Sequence, residues 1–108
     1  MGLIAAANGS QTATINTEHS LSQQTGIGIY VLLVNTAAMA SGDALTLKIK
    51  TKRSTGDAIQ TAYVYSFTDA QTEPHKYSVP VPVDTEIVCT LTQTAGTGRA
   101  FPWKLLRA

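Results

Sequence analysis

The chain has 108 residues, of which 44% are apolar and only 14% charged, with a formal net charge of +1. That length supports one hydrophobic core, burying roughly 65% of the unfolded surface, and leaves little room for a deep, water-excluding cleft. Near-neutrality removes the electrostatic case for a nucleic-acid or membrane-surface binder, and a lone cysteine, Cys89, forms neither an intrachain disulfide nor a cysteine-based metal site.

The opening "MGLIAAANGS" lacks the basic region and apolar length of a cleaved signal peptide, and no run approaches the roughly 20 apolar residues of a membrane helix. A soluble product without a cleaved leader is expected. Residues 1–11 read as an N-terminal arm and 12–108 as a single β domain. Within the arm, Gly2, Leu3, Ile4, Ala5, Ala6 and Ala7 are small or apolar, and polar Asn8–Gln11 separate them from the first strand. Such an arm is expected to order on a neighbouring subunit or another protein surface.

Threonine is abundant and strong helix formers are few, which favours strands. "TATIN" (Thr12–Asn16) alternates and reads as the first strand. "GIGIYVLLV" (Gly26–Val34) is almost wholly apolar and reads as a central strand buried on both faces or nearly so. "NTAAMASGD" (Asn35–Asp43) has an Ala-rich middle suited to one helical turn, stopped by Gly42. "ALTLKIKTKR" (Ala44–Arg53) alternates cleanly: Leu45, Leu47 and Ile49 oppose Thr46, Lys48, Lys50 and Lys52. "STGD" turns the chain into "AIQTAYVYSF" (Ala58–Phe67), where Tyr63, Tyr65 and Phe67 share a face. "HKYSVPV" (His75–Val81) is extended, but Pro80 and Pro82 confine it to an edge. "EIVCTLTQT" (Glu86–Thr94) sets Ile87, Cys89 and Leu91 on one face. "AGTG" then leads into the last strand, Arg99–Arg107. Seven to eight strands at short spacing predict an all-β antiparallel sandwich of jelly-roll or Greek-key type.

Few residues carry chemistry. "GTGRAFPW" begins like a phosphate loop, yet Pro102 blocks the required helix and no Lys-Ser/Thr pair is present after it. The strand reading puts Phe101, Trp103 and Leu105 on one core-facing side, with Pro102 at an edge or bulge. The Lys48–Lys50–Lys52 stripe has no interleaved aromatics and reads as a solvated face. His19 and His75 lack ligand spacing; His19 reads as a local hydrogen-bonding group ahead of a polar loop. Cys89 reads as an inert core thiol. No paired-carboxylate or nucleophile motif stands out among Glu18, Asp43, Asp57, Asp69, Glu73, Asp84 and Glu86. No enzyme, cofactor or metal is expected.

The order of the pieces resembles small all-β structural proteins of tailed bacteriophages. The resemblance runs from about Ala13 onward and is strongest in "ASGDALTLKIK" and "TLTQTAGTGRAFPW". It implies a virion protein made in the host bacterial cytoplasm, foremost a capsid decoration or cement protein bound to the major capsid protein. It also implies homo-oligomers, a trimer among them, and no nucleic-acid or membrane partner. A tail or fibre-base component is the nearest alternative. A carbohydrate-binding sandwich is a third, with Tyr30, Tyr63, Tyr65, Tyr77 and Trp103 as its candidate aromatics.

Overall fold

A computed structural model describes residues 4–108. Period-2 alternation drives the architecture. In β3 (Gly28–Asn35) Tyr30, Leu32 and Val34 point inward, and in β4 (Ala44–Lys52) Leu45, Leu47 and Ile49 do. β8 (Glu86–Ala95) adds Ile87, Cys89 and Leu91, and β9 (Ala100–Arg107) adds Phe101 and Leu105. These side chains are essentially shielded from water and interlock between two sheets; each large one contributes about 1.5–3 kcal/mol by leaving solvent.

The other strands are β1 (Ile4–Thr12), β2 (Glu18–Thr25), β5 (Gln60–Thr68), β6 (His75–Tyr77) and β7 (Val81–Val83). One sheet, sheet A, runs β1-β9-β3-β6, with β7 also on β3; the other, sheet B, runs β2-β8-β4-β5. All pairings are antiparallel. Every connection crosses between the sheets except β4–β5 and β6–β7, which is the jelly-roll winding. The nine strands are eight jelly-roll strands with the sixth broken into β6 and β7. At the break, Ser78 stands in for the ladder: its hydroxyl accepts from the Leu32 N–H at 2.9 Å and its own N–H donates to Leu32 O at 2.8 Å. Pro80 has no N–H to offer there.

Four expectations need correcting. The arm boundary at residue 11 does not hold for the described part of that segment: Ile4–Thr12 is a strand paired with β9 from Ile4↔Arg107 to Thr12↔Ala100. "TATIN" is not a strand; Thr12 closes β1, and Asn16, at φ 62°, lies in a turn in which Thr17 N–H reaches Thr14 O at 3.1 Å. The polar stretch after His19 is no loop but β2, a sheet-edge strand bulged between Ser20 and Ser22. With Leu21 its one large apolar residue, it carries no alternation to read. The Ala-rich Asn35–Asp43 segment makes two tight turns (Met39 N to Thr36 O, Asp43 N to Ala40 O) rather than a helical one, and tucks Met39 into the core.

β9 is an interior strand, and Pro102 is tolerated in it for a local reason. Ile29 and Ala108 exchange both backbone hydrogen bonds. By alternation, the Pro102 nitrogen faces the β3 side, and β3 pairs with β9 only as far as Val34↔Trp103. The missing N–H therefore falls just past the last β3–β9 pair, opposite the end of β3 at Asn35, and costs the ladder only a terminal bond.

Candidate functional site

The reactive side chains are occupied by structure. Asp43 is the most enclosed carboxylate, with its side chain 1% exposed. Oδ2 accepts from the Ala40 N–H and from Arg99 Nε, both at 2.9 Å, and Oδ1 accepts from the Thr97 N–H at 3.3 Å. The Ala40 hydrogen bond and the Arg99 guanidinium hold its carboxyl below the usual aspartate range, against the opposing effect of burial. The Gly-rich turn before β9 thus does cradle an anion, and the anion is the chain's own. Gly96, at φ 89°, is required there, since a Cβ would run into the Asp43 carboxylate. Gln93, fully buried, pins the same turn by donating to Ala95 O and Thr97 O and accepting from the Arg99 N–H.

Elsewhere, His19 Nε2 accepts from the Thr14 N–H at 3.0 Å, while His75 sits exposed at the start of β6. Burial pushes the Cys89 thiol up to about 12, so it stays protonated and unreactive near neutrality. Among the described residues no group of three His, Cys, Asp or Glu side chains is placed to hold a metal ion.

The two outer faces differ sharply. That of sheet B is polar, and its lysines answer its glutamates: Lys50 meets Glu18 at 3.1 Å and Lys52 meets Glu86 at 3.5 Å. The Thr90 hydroxyl and then Lys50 hold the Glu18 carboxyl below its ordinary value. The Lys stripe is a solvated face with internal partners.

The outer face of sheet A is largely apolar along β3 and β9, with polar side chains at its margins: Asn8, Ser10 and Thr12 on β1, and Asn35 and His75 where β3 meets β6. β3 was expected to be buried on both faces or nearly so; Tyr30, Leu32 and Val34 are buried, while Ile29, Val31 and Leu33 face outward, Val31 and Leu33 half-buried and Ile29 46% exposed. Leu33 pairs with Tyr77, which is 59% exposed, and Val31 with Leu106. Pro82, Pro102 and Ala5 carry the surface across the neighbouring strands. Among the strand residues described on this face, Lys104 is the one formal charge, and there is no carboxylate. Two open hollows indent it: one of about 470 Å³ between Ile27, Ile29, Pro82, Asp84 and Ala108, where Asp84 adds a carboxylate from the loop after β7, and one of about 190 Å³ between Leu33, His75, Pro102 and Lys104. Neither is a closed cleft suited to excluding water from a reaction.

Of the residues singled out in the arm, Gly2 and Leu3 lie outside the described residues. Ile4, Ala5, Ala6 and Ala7 begin β1, with a bulge between Ala5 and Ala7. Of the candidate glycan-binding aromatics, Tyr30 is buried, and Tyr63, Tyr65 and Trp103 pack against the core. Tyr77 alone among them is widely exposed. Sequence reasoning missed the apolar outer face, although its signal was present: a strand apolar at every position in a two-layer sandwich has one face without a layer to cover it. The chain matches no known protein family, no curated protein and no solved structure.

Proposed function

We propose that this chain is a non-enzymatic structural protein of a tailed-bacteriophage virion, a capsid decoration protein whose sheet A lies against the major capsid protein. The observation that carries this reading is the asymmetry of the sandwich: a charged, internally paired face on sheet B and, on sheet A, a largely apolar face whose described strand residues include no carboxylate. An antiparallel sheet normally presents polar side chains to water on its uncovered side. A contiguous apolar face instead fits a surface that is covered in use. The shallow hollows suit side chains of a protein partner better than a small substrate. In a shell, many copies add modest contacts into firm attachment. The sequence resemblance supplies the virion context and the contact surface supplies the mode.

The test is stoichiometry and rebinding. Purified heads should contain the chain in hundreds of copies, and stripped heads should take it up again. The double variant Ile29→Glu/Tyr77→Glu should fold normally yet lose uptake, because it places carboxylates in a surface that would be desolvated on docking. A few copies per particle would move the protein to the tail, and uptake unaffected by the double variant would remove sheet A as the contact.

A further inference from the structure

A separate feature of the fold concerns the rim of sheet A rather than its face. β1 has β9 on one side and, among the described residues, no strand on the other. Natural sheet edges are kept apart by shortness, charge, proline or cover. The other edge of sheet A has all but the last: β6 and β7 are three residues each, Pro80 and Pro82 interrupt them, and Lys76 sits there. In sheet B, the β2 edge carries Glu18, and Lys76 reaches over the Phe67 ring at the β5 edge, 5.1 Å from its centroid. β1 has a bulge near its start but, among the described residues, no charge, proline or covering segment. It is nine residues long, and beyond its bulge Ala7–Thr12 pairs with β9 without interruption.

The hydrogen-bonding direction of that edge follows from the ladder. Ala13 N–H donates to Arg99 O, and the Ile29–Ala108 exchange fixes the alternation along β9. Gln11, Gly9 and Ala7 therefore direct their backbone groups to β9, and Asn8, Ser10 and Thr12 direct theirs outward. An antiparallel pair of identical strands is self-complementary about a two-fold axis, so one edge serves both partners. Because Ile4–Thr12 is uncharged, no like charges meet when it faces its own copy.

We propose that β1 is a self-association edge, pairing antiparallel with β1 of a second copy so that two A sheets become one continuous sheet. The two outer faces then lie on one side of the joined sheet, with the Asn8, Ser10 and Thr12 side chains of both β1 strands between their apolar parts. This inference does not depend on the virion reading, since it concerns the isolated protein.

Sedimentation velocity of the purified chain tests it, alongside hydrogen exchange. The wild type should reach twice the 11.4 kDa mass of one chain as concentration rises, with the Asn8, Ser10 and Thr12 amides exchanging more slowly in the dimer. Ser10→Pro removes an outward N–H and none that bonds β9, so it should stay folded and lose the doubling of mass. If Ser10→Pro fails to fold, Asn8→Lys/Ser10→Lys keeps every N–H, brings like charges together across the axis and should be monomeric. A wild type that stays monomeric to millimolar concentration overturns the proposal, as does a folded edge variant that still dimerises.

Discussion

Replacing Asp43 by Asn tests how the two turns at one end of the sandwich are held. The carboxylate takes three donors at once: Ala40 N–H, Thr97 N–H and Arg99 Nε. Asparagine has one acceptor oxygen, so its amide group must face at least one of those donors. A charge-assisted hydrogen bond contributes about 1.5–3 kcal/mol net, and a buried donor left unpaired costs about 1–3 kcal/mol. Breaking a fully buried ion pair costs about 3–5 kcal/mol, but Arg99 is 31% exposed and can regain water, which lowers that figure. The expected loss is about 2–4 kcal/mol in urea denaturation with an unchanged m-value, or on the order of 10–20 °C in Tm. The pH dependence is a second readout. The folded carboxyl titrates below its unfolded value, so its stabilisation is present above the unfolded pKa and is lost as pH falls through the lower folded one. The gap between wild type and Asp43→Asn should therefore narrow in acid. A loss under about 0.5 kcal/mol at neutral pH, well below even one orphaned donor, would refute the cradle as a source of stability.

Three further outcomes are expected. Phe101→Ala, at a fully buried position, should cost about 3–5 kcal/mol in the same urea assay. Burial raises the Cys89 thiol and the Tyr65 phenol, so their stabilising effect is whole below their unfolded values and declines as pH rises toward the folded ones; stability should fall above about pH 9, and less steeply in Cys89→Ala. Changing Lys48, Lys50 and Lys52 together to Gln should cost about 1 kcal/mol or less for each of the two partly exposed ion pairs, in chemical denaturation at physiological salt.

The strands that were legible in the sequence are those whose two faces meet different surroundings. β4, β5 and β8 alternate because one side meets the core and the other meets water, and the residues expected inside are inside. β1 and β2 escaped notice because edge strands bury little: Ala6 and Ala7 are half-buried at most, and β2 places Ser22 where a core strand would have a large apolar residue. A backbone ladder supplies most of what defines such strands, and it leaves no mark on side-chain type. The Asp43 cradle was invisible for another reason. Its acceptor and its donors Thr97 and Arg99 lie more than fifty residues apart, and only the winding of the sheets brings them together. Trp103, expected from alternation to share the core-facing side with Phe101 and Leu105, does pack against the core, but half-buried, with its indole across Gly9 of β1, which has no side chain to compete for the space.

The winding also dictates the order in which this chain can assemble. β4 and β5 alone are successive strands that also lie side by side in a sheet without sharing a third strand between them; β1 must wait for β9. Closing such long loops is slow, so refolding should fall in the millisecond-to-second range of β-rich domains, with the β4–β5 hairpin the earliest native pairing available. During that interval β3 shows apolar side chains on both sides at once, and β1 has neither edge satisfied. A nascent chain would carry β1 unpaired until residues 100–107 had been made, which adds a hazard of aggregation during synthesis to that of the open edge in the finished fold.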